Sequence, residues 1–334
     1  MRWAPLVALT LASAPAQARP TVPLAPREEA SATDFWREMI EPHSATVTAI
    51  VAKARSSIDK LGDGPDAGVD RRLRALGDAY GMLRYARKLA PENTDVLALL
   101  GSTADELGKT RQALEALEAC IRIQGPERAG DGVTGRLGMI YLRMGRLDDA
   151  IRWLRYAQGR IAAADNAVAL VHLATALAAR GQMPDALDAL SNALPAQTTY
   201  FTDPVTLVSF ALAVHYDRDE QRGAAFEVLD RMQATLQQEL GPFTQRALSA
   251  MRFAPPEDHY YYQALLYETL GDYTEARAEW ALYAAIEDAP WRRRALEHIR
   301  AIDAQRSARP GAASTPRTGR RPGARNPTAP RTVK

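Results

Sequence analysis

The chain has 334 residues, of which 46% are hydrophobic and 25% are charged, and its formal net charge is +2. This balance is typical of a globular protein with an ample core and excludes a chain that is disordered throughout. Cys120 is the only cysteine, so an intramolecular disulfide is excluded and the fold must be stabilised by packing alone.

Residues 1–18 have the pattern of a secretory signal peptide. A positive start is followed by a mostly apolar stretch at 3–12, and Ala16-Gln17-Ala18 offers a small-x-small cleavage site. We therefore predict cleavage before Arg19, a periplasmic or secreted protein of a bacterial envelope, and no transmembrane segment after cleavage. The Pro- and Ala-rich residues 19–33 are predicted to be disordered.

Residues 34–91 are predicted to form a divergent N-terminal helical region. A short helix is expected through 35–40, and a longer amphipathic helix over Ala45–Leu61 has apolar residues at helical spacing. A further helix over Asp70–Leu89 ends with the small and bulky residues of the repeated pattern described next. This region is therefore either a divergent first hairpin or a helical cap.

From residue 92 onward, one sequence frame returns five times. In each frame a leading residue is followed directly by glycine or alanine, and a turn position lies eight residues after the leading residue. An alanine and, four residues later, a bulky residue follow in a second helix. The leading residues are Leu100, Leu137, Leu173, Leu212 and Gln263, and the second-helix alanines are Ala113, Ala150, Ala186, Ala225 and Ala276. The frame predicts two amphipathic helices that pack closely through their small residues.

Glycine occupies the turn position of four frames, at Gly108, Gly145, Gly181 and Gly271. Glycine adopts the left-handed conformation that ends a helix without steric cost. Glu220 departs from this pattern in the fourth frame. Since one hairpin cannot bury both of its apolar faces, the hairpins are expected to stack on one another.

This frame resembles the tetratricopeptide repeat. The resemblance implies an all-α fold, a right-handed α-solenoid of stacked helical hairpins over 92–303 with disordered termini. It also implies a non-catalytic scaffold that binds protein or peptide partners on the concave face, which the first helices line. We expect a role in cell-envelope assembly, because the predicted signal peptide directs export.

Two segments fall outside the five frames. The last two frames lie further apart than the others, which predicts an insertion at 240–256 containing an extra helix over 242–251. After the last frame, Pro290–Asp303 is predicted to be a capping helix that shields the end of the stack from water.

The first helices supply the candidate partner-binding residues. Tyr261 and Tyr262, with Asp258 and Glu268, are expected to form an amphipathic groove on the concave face. Residues expected to face inward from earlier hairpins are Asp95, Ser102, Asp105, Arg136, Met139, Arg143, His172 and Thr175. The alternative is an ordinary solvated helix face. The Lys and Asn pattern that clamps C-terminal carboxylates in chaperone-binding members of the family is not present.

Candidate catalytic motifs are weak. Ser57 and Lys60 fit the Ser-x-x-Lys pattern of penicillin-binding enzymes, but the companion motifs of those enzymes are missing. The five histidines are scattered and have no metal-ligand spacing. We therefore expect no enzyme activity, no metal and no cofactor. Cys120 occupies a packing position and is expected to be a buried structural thiol.

The tail over 304–334 is predicted to be a disordered, basic, Pro- and Arg-rich segment. It contains no acidic residue, and its bases are Arg306, Arg309, Arg317, Arg320, Arg321, Arg325, Arg331 and Lys334. The alternative function is therefore an envelope adaptor whose cationic tail docks to anionic cell wall, lipid or polymer. No nucleic-acid partner is expected for an exported protein.

Overall fold

The computed structural model describes residues 43–60, 69–158, 167–194, 201–249 and 251–308, and within these ranges the regular structure is helical with no strand. The predicted signal peptide, the linker after it, the short helix at 35–40 and the tail beyond residue 308 lie outside the described residues. Among the described helices, none combines the length and the apolar character that a membrane span requires.

The helices follow one another in hairpin order. Their bounds are α1 (Ser44–Asp59), α2 (Val69–Leu89), α3 (Thr94–Glu106), α4 (Thr110–Gln124), α5 (Asp131–Arg143), α6 (Leu147–Gln158), α7 (Ala167–Ala179), α8 (Met183–Ser191), α9 (Asp203–Arg218), α10 (Arg222–Leu236), α11 (Leu240–Ser249), α12 (Asp258–Thr269), α13 (Tyr273–Ala284) and α14 (Arg292–Ala308). A 3₁₀ turn at Gln237–Glu239 joins α10 to α11.

Each predicted frame forms one antiparallel hairpin. The pairs α3–α4, α5–α6, α7–α8, α9–α10 and α12–α13 each pack along their length, and α1 packs against α2 in the same manner. One continuous apolar core runs from Ala54 in α1 to Ile302 in α14. The all-α stack of hairpins predicted from the frame is confirmed, and the divergent region before it contributes a hairpin of its own.

The turn glycines have the predicted conformation. The φ angles of Gly108, Gly145, Gly181 and Gly271 lie between 70° and 85°. Glu220 adopts the same left-handed conformation, with φ of 60°, although it carries a side chain. After each of the five turn residues, the next amide donates to a carbonyl oxygen in the last turn of the first helix, as Arg146 does to Tyr141 at 2.9 Å.

The small residues of the frame allow the two helices of a hairpin to approach closely. A methyl group added at Gly101 would lie 2.5 Å from Cγ of Leu117, and one added at Gly138 would lie 2.6 Å from Cγ of Leu154. Both leucines are the bulky second-helix residues of their frames, so glycine and leucine fit together as the pattern predicts. Cys120 is buried, as its packing position predicts.

The boundaries of the inserted helix and of the terminal helix differ from the sequence predictions. The inserted helix α11 begins at Leu240 and ends at Ser249, two residues earlier than predicted, because Pro242 fits in the first turn of a helix. The terminal helix α14 continues past Asp303 to Ala308, and its Arg306 donates a 2.6 Å hydrogen bond to Oγ1 of Thr274 in α13. Residues 304–308 of the predicted disordered tail are therefore helical, and the prediction of disorder is wrong for them.

The inner face of the hairpin stack as candidate binding site

The first helices of the hairpins form the inner side of the stack. Successive first helices contact one another, since α3 touches α5, α5 touches α7, α7 touches α9 and α9 touches α12. Successive second helices make at most marginal contact with one another. The first helices are therefore the closer-packed layer, and the surface that they line is the inner face on which the candidate residues were expected.

At the C-terminal end, the inner face is covered by the chain itself. Tyr261 of α12 is fully buried, and its ring contacts the rings of Trp280 and Tyr283 edge-on with centroids 4.6 and 5.1 Å away. Its hydroxyl donates a 2.7 Å hydrogen bond to Asp217, which also pairs with Arg294 of α14. Tyr261 is therefore a core residue, and the prediction that it is an exposed anchor is wrong.

Tyr262 is buried as well. Its ring lies 5.1 Å from the ring of Phe253, in the segment after α11, and 6.1 Å from that of Phe210 in α9. Its hydroxyl has no hydrogen-bond partner among the described residues. A tyrosine is compatible with a core position or with an exposed position, because its ring is apolar and its hydroxyl is polar. Here the ring packs in the core. The predicted exposure of Tyr262 is therefore also wrong.

Asp258 forms a buried ion pair with Arg218. Its carboxylate lies 2.9 Å from the guanidinium group, whose nitrogens make no aligned hydrogen bond. Burial raises the pKa of Asp258, although Arg218 opposes that shift. The guanidinium also lies between aromatic rings, 4.6 Å from Tyr261, 5.6 Å from Tyr262 and 4.0 Å from Trp291. These contacts replace part of the hydration that Arg218 loses on burial.

Glu268 takes part in a second network, which attaches α14 to two hairpins. It accepts hydrogen bonds from Nε1 of Trp280 at 2.9 Å and from Nδ1 of His298 at 2.8 Å. The other ring nitrogen of His298 lies 3.0 Å from Asp217. Burial alone would lower the pKa of His298, but its hydrogen bonds to the two carboxylates outweigh burial and raise the pKa to about 9. A charged His298 therefore links α14 to α9 and α12.

The middle of the inner face is also occupied. The inserted helix α11 packs against α9, and Met251 and Ala254, in the segment that follows it, are part of the common core. His172 of α7 is buried, and burial together with the nearby charge of Arg143 lowers its pKa to about 4. His172 is thus neutral at physiological pH. The prediction that it faces a partner is wrong, because its side chain is buried.

The N-terminal part of the inner face remains open. The carboxylate of Asp105 in α3 is 1% exposed and pairs with two arginines of α5, with Arg136 at 3.0 Å and with Arg143. Arg252 approaches the same carboxylate at 3.9 Å from the segment after α11. The side chains of the three arginines are 28%, 24% and 45% exposed, so each of them is partly accessible to the solvent.

A fourth arginine extends this group. Arg72 of α2 pairs with Glu106 at 3.2 Å, and Arg136 lies 3.7 Å from the same carboxylate. We call Arg72, Arg136, Arg143 and Arg252 the arginine cluster. Of the predicted inward-facing residues, Asp105, Arg136 and Arg143 take part in these ion pairs, and Asp105 positions the arginines rather than facing the solvent.

Sequence reasoning did not identify Asp217, Arg252, Arg294 or His298. One signal was present, because an acid recurs five residues after the leading residue in three of the five frames, at Asp105, Asp217 and Glu268. Each of these acids pairs with an arginine or a histidine from another element. A charge that recurs at one position of the frame therefore marks places where an ion pair joins the first helix to another element.

Comparison with known proteins agrees with this architecture. Residues 94–126, which contain α3 and α4, match the family model of the tetratricopeptide repeat. No curated protein sequence matches the chain significantly.

Solved structures of similar fold share little sequence with this chain. A putative kinesin light chain from Podospora anserina, with nearly identical TPR-like repeats, is 18% identical and has a TM-score of 0.48, over 61% of this chain and 98% of that one. PilF from Pseudomonas aeruginosa is 11% identical with a TM-score of 0.48, over 79% and 99%. PilW, a type IV pilus biogenesis factor, is 14% identical with a TM-score of 0.47, over 75% and 98%. At these values nothing about function is carried over to this chain.

Proposed function

Since the chain is a tetratricopeptide-repeat protein, we propose that it is a non-catalytic scaffold that binds a protein or peptide on the open, N-terminal part of its inner face. The observation that supports this proposal is the difference in side-chain exposure between the N-terminal part of the inner face and the rest of it. Tyr261, Tyr262 and His172 are buried by the chain itself, whereas Arg136 and Arg143 keep a quarter of their side-chain surface exposed. A partner therefore has access to Arg136 and Arg143 but not to Tyr261 or Tyr262.

Site-specific photocrosslinking tests this proposal. A photoreactive residue at Met139, half-buried on the inner side of α5, is expected to capture the partner in cells. The same residue at Glu115, exposed on the second helix α4, is the matched control from the outer layer. Products from Glu115 that equal those from Met139 would reject the inner face as the binding surface.

We further propose that the scaffold works in the bacterial envelope. This rests on the signal-peptide pattern of residues 1–18, which includes the small residues before Arg19. The mature protein is then expected to begin at Arg19. N-terminal sequencing of protein recovered from the periplasm or the medium checks the cleavage site, and an uncleaved cytoplasmic product would exclude export.

The second candidate function is docking to an anionic envelope surface through the basic tail. The charge distribution favours it, because residues 304–334 hold eight bases and no acid. Each base near an anionic surface contributes on the order of 1 kcal/mol, less in salt. Cosedimentation with anionic vesicles or cell-wall sacculi is expected for the full chain and not for a chain ending at Ala308, which keeps α14 whole. Equal sedimentation of both would reject a docking role for the tail.

A further inference from the structure

The arginine cluster carries more positive charge than its own acids neutralise. Asp105 and Glu106 are the only carboxylates among the described residues within ion-pair distance of Arg72, Arg136, Arg143 and Arg252. His172, next to Arg143, is neutral because burial lowers its pKa to about 4. Four guanidinium groups thus share two carboxylates.

The helix ends reduce this excess without removing it. The residues Glu106 and Arg143 end α3 and α5, and a helix C-terminus carries roughly half a negative elementary charge. Two such ends offset about one of the two excess charges. The open part of the inner face therefore keeps a net positive charge of roughly one, concentrated on arginines whose positions are set by Asp105.

The hydrogen-bond donors of the cluster are largely unused. A guanidinium group has five N–H donors. Arg136 and Arg143 each donate one hydrogen bond to Asp105, and Arg252 makes none to a described residue. Nη1 of Arg143 is buried without a partner, so a small rotation that brought it to an oxygen acceptor would be favourable. Arginine donors in a fixed fork match the two oxygens of a carboxylate.

We propose that the arginine cluster binds an extended peptide segment through its Asp or Glu side chains. This inference rests on the proposed scaffold function and names the chemistry of its partner. A peptide suits the site better than a flat polyanion, because the exposed faces of Arg136 and Arg143 lie on the inner face, beside the segment that carries Arg252, where a membrane or a wall layer has poor access. Arginine clusters elsewhere recognise acidic peptide motifs by the same pairing.

Fluorescence anisotropy with the full chain tests the proposal. The probe is a labelled peptide, acetylated and amidated at its ends, in which Glu alternates with Leu, and its reference is the same peptide with Gln in place of Glu. We expect the Glu peptide to bind at least about tenfold more tightly than the Gln peptide, with an affinity that falls as salt is added. Amidation removes the terminal carboxylate, so binding reports on side chains alone.

Matched variants locate the binding. Arg143→Gln and Arg252→Gln are each expected to weaken binding of the Glu peptide about tenfold. Arg252 is half-exposed and lies outside the helices, so that variant is expected to fold even if the loss of Arg143 disturbs Asp105. The control Arg111→Gln makes the same charge change on the exposed side of α4 and is expected to bind as the wild type does.

Three results would overturn the proposal. The first is equal binding of the Glu and Gln peptides. The second is equal loss in Arg252→Gln and Arg111→Gln, which would indicate a general charge effect. The third is cluster-dependent binding of anionic vesicles or single-stranded DNA without binding of the peptide. Continued crosslinking of a partner from Met139 in any of these cases would keep the scaffold function and reject only the acidic class of partner.

Discussion

Arg294 of α14 and Asp217 of α9 form a buried ion pair between two helices that are not consecutive in the stack, with Nε of Arg294 3.2 Å from the carboxylate. Removing Arg294 leaves the buried carboxylate of Asp217 with only His298 and the Tyr261 hydroxyl as partners. We therefore expect Arg294→Ala to lower the free energy of unfolding by at most about 3–5 kcal/mol, measured by urea denaturation.

The neighbouring residue Arg293 provides the control for that variant. It pairs with Glu220, but both side chains of that pair are mostly exposed. An exposed ion pair contributes about 0–1 kcal/mol, so Arg293→Ala should change the stability little. Similar losses in the two variants would mean that burial of the Asp217 pair is not what stabilises α14 on the stack.

Stability should fall between about pH 6.5 and pH 9 because of His298. The pKa of His298 is raised to about 9 by Asp217 and Glu268, against burial, from an ordinary value of 6.5. A raised folded-state pKa adds stability that is complete below the unfolded pKa and lost as the pH rises through the folded one. The loss across this window is expected to be at most about 3 kcal/mol.

The variant His298→Gln separates this effect from other titrations. Hydrogen bonds of Asp217 with His298 and Arg294 hold the pKa of its carboxyl group far below the usual range, although burial opposes this, so Asp217 stays charged throughout the window. The stability of His298→Gln should therefore change much less from pH 6.5 to 9 in urea denaturation. Parallel curves for the wild type and the variant would assign the pH dependence to another group.

Gly145→Val should destabilise the protein by about 1–3 kcal/mol, because a β-branched residue resists the left-handed conformation at φ of 72°. No atom lies within 4 Å of a methyl group added there, so the cost arises from the backbone and not from a clash. Gly77→Ala, at an exposed position inside α2, should instead raise stability by about 0.5–1 kcal/mol. Thermal unfolding that gives both changes the same sign would contradict this assignment of the turn.

Glu220→Gly should be more stable than Glu220→Ala by about 1 kcal/mol. Both variants remove the exposed ion pair with Arg293, but only glycine relieves the left-handed strain at φ of 60°. Glycine inside a regular helix has the opposite effect, so the sign of the difference reports on the backbone. An alanine variant that matched or exceeded the glycine variant in urea denaturation would show that Glu220 is not strained.

The hairpins were predictable because their signals are local. The glycine at 145, the alanine at 150 and the leucine at 154 lie within one hairpin, and their spacing alone specifies two helices and the turn between them. The inserted helix and the terminal helix were also predicted, as amphipathic segments outside the frame.

The candidate site was less predictable because its contacts join distant parts of the chain. Sequence spacing places Tyr261 on the inner side of α12 but does not say that its side chain is enclosed by α13 and by an Asp217 that is itself paired with α14. That arrangement depends on the pairing of Arg294 and His298 with Asp217, which lies 77 and 81 residues earlier in the sequence. An inner-face position is a binding surface only where no other part of the chain already fills it, as at Arg136.

The contact of Arg252 with Asp105 affects how the protein unfolds. A linear array in which each hairpin touches only its neighbours can fray from either end, one unit at a time. Here the segment after α11 reaches back to α3, and α14 reaches back to α9. Unfolding of either end therefore also breaks contacts with hairpins that are not its direct neighbours. The hairpins should for this reason unfold together in one cooperative transition.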